Sequence, residues 1–340
     1  MRITKIIIYN LTVLLLLFLL AEAGFRIWAP DYQFYERTSL AGFTEEAQLK
    51  LDTNWVQQDS LLGWVCRKNP HLKFYRSDFW EVNYGINDLG FRSTEFPREK
   101  FASEPKTRIL LLGDSFLFGI FLEESTTISS RMQFYLGENY EVYNMAIPGW
   151  GIDQMYQAYD AYSQLIQPDI VFLFFIDDNI SRVMEAFYWG AATKRAYRAD
   201  KNELMFREPE HGQLSELEGY FCFNSQIINR LYRIGVLQQA QPLTEVILEN
   251  WINQENVVER NLKAVRFPRR EQIGHPELKR YDLQDFFRRN SIFYLDLEPE
   301  MQLFSTEKTT SLYIEKDDHP SAVGADYIAS KLVQIILNSR

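Results

Sequence analysis

Between Arg108 and Ile176 three short apolar runs alternate with two stretches of helical character. The runs are Arg108–Leu112 (RILLL), Tyr140–Asn144 (YEVYN) and Asp169–Ile176 (DIVFLFFI), and the stretches between them are Thr126–Gly137 and Asp153–Ile166. The third run is apolar at almost every position, which is the pattern of a strand buried on both faces. Strand, helix, strand, helix, strand at this spacing requires right-handed crossovers, and hence a parallel sheet covered by helices on both faces. The rhythm breaks over residues 183–260. There, 195–208 predicts a hairpin around Asp200-Lys201-Asn202, and Ser225–Gln239 and Leu243–Leu262 predict helices. It resumes with strands at Ala264–Phe267 and Ser291–Asp296 and a closing helix at Ala322–Leu337. The expected fold is a three-layer α/β/α (flavodoxin-like) parallel sheet over residues 106–340, with an insertion at about 183–262. Residues 31–105 are a polar, aromatic approach segment whose short apolar pieces and turn signals predict hairpins and loops.

The first thirty residues have a different character. Arg2 and Lys5 precede an uncharged run from Ile6 to Ala21, nearly all leucine between Leu14 and Leu20. Such a segment is a signal anchor or a signal peptide. The run alone falls slightly short of the ~20 residues that cross a bilayer as a helix, and extension toward Phe25 and Trp28 supplies the rest. Ala21-Glu22-Ala23 offers a small-x-small cleavage site, so a retained anchor and a secreted, cleaved form are both open. The cations ahead of the run keep the N-terminus in the cytoplasm and place the remainder outside.

The formal net charge of -10 repels phosphate backbones, so nucleic acid is not an expected partner. Aromatic residues make up 15% of the chain, enough for a full core. Cys66 and Cys222 have no metal-site spacing, and in an exported protein they are either a disulfide or two free thiols. No metal cluster, phosphate-binding glycine loop or nicotinamide fingerprint occurs, and no cofactor is expected.

Gly113-Asp114-Ser115 falls where the first strand ends, at the sheet edge where open parallel sheets bind ligands. A Gly-Asp-Ser turn there exposes a hydroxyl at a helix start, or simply caps the helix. A serine hydroxyl becomes a nucleophile only when a base takes its proton. Of the 4 histidines, His71 and His275 neighbour prolines in polar loops and His211 lies in a Glu-rich turn. His319, in Lys316-Asp317-Asp318-His319-Pro320 ahead of the closing helix, falls at the same sheet edge as Ser115 and has carboxylates beside it to orient an imidazole.

In these blocks the chain resembles the SGNH/GDSL hydrolase superfamily, and within it the bacterial exported or membrane-anchored members. Gly113-Asp114-Ser115 matches the first block, Asn144 to Gly149 the second, and Asp317 with His319 the last. The approach segment, with Leu62-Gly63-Trp64, Asn87 and Gly90-Phe91-Arg92, is similar too. The resemblance spans roughly residues 1–182 and 290–337. It implies Ser115 as nucleophile, His319 as base and Asp317 as the acid orienting it, with Asp318 as a substitute. It implies an oxyanion hole from the backbone N–H groups of Ser115 and Gly149 plus an amide side chain. The chain departs from the family at that amide. Asp178 stands at the family's asparagine position and Asn179 at its aspartate position, so Asn179 is expected as the donor, unless Asp178 takes the place, is protonated or is turned away, or both residues only cap a helix. The implied activity is a serine esterase or acyl transfer on O-acyl, chiefly O-acetyl, esters of envelope or extracellular carbohydrate. Trp150 and the Phe187-Tyr188-Trp189 cluster are candidates for stacking on sugar, or ordinary core. The alternative is a non-catalytic carbohydrate-binding or scaffold protein on a degenerate form of the fold.

Overall fold

The computed structural model describes residues 2–30, 56–68, 72–76, 79–96, 106–184, 187–188, 192–194, 196–200, 203–207, 225–253, 261–307, 311–315 and 317–338. Five strands form the central sheet: β1 (Thr107–Leu112), β2 (Tyr140–Asn144), β3 (Ile170–Phe175), β4 (Leu262–Arg266) and β5 (Phe293–Asp296). Their order across the sheet is β2-β1-β3-β4-β5, and every neighbouring pair is parallel. All residues of β3 and β4 are buried, as strands in the middle of a two-sided sheet must be. Helix α1 is Arg2–Trp28. α2 (Ile128–Leu136) packs on α5 (Ala322–Asn338), and α3 (Ile152–Ile166) packs on α4 (Gln226–Asn253). The two pairs cover the sheet as the outer layers of the expected α/β/α fold.

Thr127 caps α2 with its side chain on the Ser130 N–H, and Gly137 ends it. The expected hairpin is present as Ala196–Asp200 against Glu203–Arg207, with Asp200 opposite Glu203. Two helices expected over 225–262 are instead one, α4, with Pro242 inside it. The proline removes a backbone donor and reads as a break. Burial of Ala240, Leu243, Ile247, Leu248 and Trp251, with Trp251 5.3 Å from the Tyr159 ring, holds the helix across it. Leu262, expected to end a helix, opens β4. Helices at Gln284–Arg289 and Glu298–Glu307 were not expected.

The approach segment forms two antiparallel hairpins, Val56–Asp59 with Gly63–Cys66 and Leu72–Arg76 with Phe79–Tyr84. After them Asn87 organises a turn, its Oδ1 accepting from the Leu89 and Phe91 N–H groups. Gly90 takes φ 88° there and its carbonyl accepts from the Cys66 N–H; a Cβ on it would come within 2.6 Å of the Cys66 carbonyl oxygen. Cys66 is a buried free thiol, which burial pushes far above its ordinary pKa. Cys222 lies outside the described residues. α1 is long and apolar enough by length and composition to cross a membrane, and it continues unbroken through Ala21-Glu22-Ala23.

Candidate active site

Three loops leave the carboxyl ends of β1, β2 and β3, and buried polar bonds tie them together. Gly113 lets the β1 loop turn against its neighbours, because a Cβ there would approach Leu117 Cδ2 to 2.8 Å and Phe174 Cβ to 3.3 Å. Asp114 then caps the short helix Ser115–Phe118, its Oδ1 accepting from the Phe116 N–H at 3.1 Å. Its other oxygen accepts from Asn179 Nδ2 and Arg182 Nη1, both at 2.9 Å, which fastens the β1 loop to the β3 loop. Asn144 holds the β2 loop by accepting from Ala146 N–H at 2.9 Å and donating to Leu117 O at 3.3 Å. Gly149 sits at φ 83° in that loop, a left-handed position suited to glycine. The approach segment braces the same loop: Trp64 Nε1 donates to Pro148 O at 3.1 Å, and Trp150 Nε1 donates to Trp64 O at 3.0 Å.

Ser115 is the first residue of its helix, where a backbone N–H has no partner within the helix. Among the described residues, neither the Ser115 nor the Gly149 N–H donates a hydrogen bond. His319 is carried by a separate loop that α5 pins. A Cβ on Gly324 would meet the Leu312 carbonyl oxygen at 2.0 Å, so only glycine lets α5 approach this closely. Tyr313 bridges to Pro320, Ile314 N–H donates to His319 O at 2.9 Å, and Arg270 donates to the carbonyls of Ile314 and Asp317. His319 Nδ1 lies 2.5 Å from Asp317 Oδ1, which also accepts from the His319 N–H at 2.7 Å. The imidazole packs 4.9 Å from the Phe116 ring, placing it beside the residue that follows Ser115. Its Nε2 is buried and has no hydrogen-bond partner among the described residues. An imidazole whose Nδ1 faces a carboxylate and whose Nε2 is unengaged is set up to accept a proton at Nε2.

Asp318 is turned elsewhere, its carboxylate 40% exposed and 3.5 Å from Arg269. Asn179 departs from the expected donor role, whereas Asp178 takes the turned-away alternative. Asn179 was expected to donate into the oxyanion hole, but its Nδ2 donates to Asp114 Oδ2 and, at 2.7 Å, to Trp150 O. Its Oδ1 accepts from the Ile176 N–H at 2.6 Å. Both amide hydrogens are therefore engaged in holding the three loops together. Asp178 is turned away from that position, its carboxylate paired with Arg269 and Arg280 and 4.0 Å from Arg182. No side-chain donor is left from this pair, and Ser115 and Gly149 supply the available N–H groups. Asn179→Ala is thus expected to lower melting temperature and turnover together, by about 1–3 kcal/mol of stability for the buried acceptors it leaves. A thermal melt and an ester assay on the same variant check this, because loss of an oxyanion donor alone would leave the melt unchanged.

Several supporting residues carried no signal in the sequence. Arg182 joins Asp114, and its carbonyl accepts from Lys194 Nζ at 2.7 Å. Lys194 also bonds Asp153 Oδ2 at 2.6 Å in a buried pair, where burial pushes the Asp153 carboxyl up against the pull of the lysine. Trp150, a candidate for stacking on sugar, is fully buried against Phe91 and belongs to the core. His275 lies exposed beside Glu277, away from the site. His71, His211, Trp189 and the side chains of Phe187 and Tyr188 lie outside the described residues. Among those described, no group of three or more His, Cys, Asp or Glu could hold a metal ion. A cavity of about 950 Å³ lies along β2, lined by Arg92, Gln133 and Asn144 among others, and includes neither Ser115 nor His319.

No family model and no curated protein matches the chain. Among solved structures, the chain is similar to a protein assigned to the lipolytic G-D-S-L family from Desulfitobacterium hafniense, at 12% identity and TM-score 0.43 over 68% of this chain and 99% of that one. It is similar to the acetyl xylan esterase AlAXEase at 14% and 0.41, over 67% and 99% of the two chains. It is similar to the lipase/acylhydrolase from Enterococcus faecalis at 15% and 0.39, over 68% and 95%. At such identities and scores the likeness is one of fold.

Proposed function

We propose that this chain is an SGNH/GDSL-type serine esterase or acyl-transfer enzyme, tethered to the membrane by α1 and acting outside it on O-acyl, chiefly O-acetyl, esters of envelope or extracellular carbohydrate. The observation that carries the reading is the His319 imidazole, held by Asp317 on one nitrogen, unengaged on the other, and packed against the residue after Ser115.

In this reading His319 Nε2 takes the proton of Ser115 Oγ as the hydroxyl attacks the ester carbonyl. Asp317 holds the tautomer and stabilises the imidazolium that results. The carbonyl oxygen becomes an oxyanion facing the Ser115 and Gly149 N–H groups. Collapse of the tetrahedral intermediate expels the sugar hydroxyl, which receives the proton from His319. The acyl-enzyme then passes its acyl group to water or to another hydroxyl. The carbohydrate and export parts of the reading rest on the sequence resemblance and on the apolar N-terminal helix.

Incubation of the protein with a fluorophosphonate probe is the direct test, since the probe reacts with an activated serine and spares an inert one. Stoichiometric labelling mapped to Ser115 is expected. An unlabelled folded protein would favour the non-catalytic alternative. Acetylated oligosaccharide offered to the labelling-competent enzyme, with and without an acceptor sugar, then separates hydrolysis from transfer.

A further inference from the structure

The end of α1 is joined to the start of α4. The Glu22 carboxylate, only 12% exposed, accepts from the N–H groups of Gln226 at 2.9 Å and Ile227 at 3.1 Å and from Ser225 Oγ at 2.9 Å. A carboxylate in this position satisfies orphan donors of the first turn and complements the helix dipole. Gln226 Nε2 donates back to Ala29 O at 3.2 Å, and the Arg230 guanidinium lies 5.0 Å from the Phe25 ring. Leu231, next in sequence, is 64% exposed, and Ile234, on the same face as Arg230, is 50% exposed. On the α1 side of the joint Ile27 and Trp28 are 82% and 77% exposed.

A helix from Arg2 to Ala21 is about 30 Å long, the thickness of a bilayer's hydrocarbon core. With Arg2 and Lys5 snorkelling at the inner side, Glu22, the first charged residue after the uncharged run, stands at the outer boundary of that core, and Phe25 and Trp28 extend the span into the interface. Leu231 is then ~8 Å along α4 from the joint, within the headgroup region. We infer that the first turns of α4 lie in the headgroup layer of the bilayer that α1 crosses, with Leu231 and Ile234 as apolar contacts and Glu22 as the pin. This rests on the membrane-tether reading above. The occupant is lipid because Arg230, which lies over the Phe25 ring of α1, is followed at once by the exposed Leu231 and one turn on by the exposed Ile234, and because Trp28 and Arg230 are residue types that favour the interface. The pin is needed because a chain of net charge -10 is repelled by an anionic leaflet. Beyond these turns α4 packs on the Asp177–Met184 segment, which carries Asn179 and Arg182, so the membrane contact and the site share one helix.

The test uses the full chain in nanodiscs of zwitterionic lipid with an anionic admixture. Leu231→Cys, or Ile234→Cys as a second position, is made on a Cys222→Ser background, Cys66 being buried. Each variant is labelled with an environment-sensitive fluorophore and compared with Phe134→Cys on α2, whose side chain is exposed on the body. Headgroup spin-labelled lipid should quench the label at 231 or 234 roughly threefold more than at 134, and Glu22→Ala should erase most of that difference. Equal quenching at all positions in a chain that has entered the nanodisc overturns the inference while leaving the tether intact. Protection from both the lipid quencher and aqueous iodide overturns it in favour of a protein cover. A chain that does not enter nanodiscs overturns the tether and the inference together.

Discussion

Replacing Ser115 by alanine is expected to lower ester turnover by at least ~10³-fold, replacing His319 by alanine to do the same, and combining the two to add little, because nucleophile and base act as one unit. The geometry orders the carboxylates as well. Asp317 touches the imidazole at 2.5 Å, whereas Asp318 faces Arg269. Asp317→Asn should therefore cost ~10²–10⁴ in turnover, since an amide no longer fixes the tautomer, and Asp318→Asn should cost little. Steady-state kinetics on an acetyl ester with the five variants check the assignment. A larger loss in Asp318→Asn than in Asp317→Asn would overturn it.

Arg92→Ala is the substitution expected to damage stability most. The Arg92 side chain is fully buried and donates to Gly119 O at 2.6 Å, Leu122 O at 2.7 Å and Phe118 O at 3.2 Å, with Glu124 at 2.8 Å. It also lies 4.3 Å from the Tyr84 ring. That phenol, its pKa pushed up to about 12 by burial, stays neutral and accepts from the Phe121 N–H at 2.8 Å. Phe121 is thereby held at φ 65°, unfavourable for an aromatic residue, with its ring 6.2 Å from His319. Removing the guanidinium leaves several carbonyls unpaired and frees this loop, at a cost of about 3–5 kcal/mol. Arg92→Lys should recover only part, because an ammonium cannot reproduce the planar fork. Denaturant unfolding of both variants measures it. A loss below ~1 kcal/mol in the alanine variant would show that the loop holds without Arg92.

The layered sheet was legible because its central strands are short apolar runs between turn residues, a local pattern. The positions of Ser115, Gly149 and His319 were legible for a related reason: each follows a strand or precedes the closing helix. What the pattern could not carry was side-chain direction. Asp178 turns away because Arg269 and Arg280 reach it from far along the chain, and Asn179 turns inward because Asp114 and Trp150 O await it. None of these partners is a sequence neighbour. Trp150, open by sequence to either a sugar or the core, belongs to the core because Trp64, from the approach segment, bonds to the same loop. The break expected between Gln239 and Leu243 fails for the opposite reason, since the packing of Trp251 and its neighbours carries one helix through Pro242.

The outer edge of β2 is closed to further strands by side chains standing in for a neighbour. Gln133 Oε1 accepts from the Val142 N–H at 3.0 Å, its Nε2 donates to Tyr140 O at 3.0 Å, and Ser93 Oγ accepts from the Asn144 N–H at 3.1 Å. Enzymes tethered to one surface meet their copies at a local concentration far above that of the same number free in solution. Under that crowding an open strand edge would recruit its twin and zip copies into ribbons. A glutamine and a serine fill the hydrogen-bonding slots, so copies held on one membrane by the tether proposed above would stay separate.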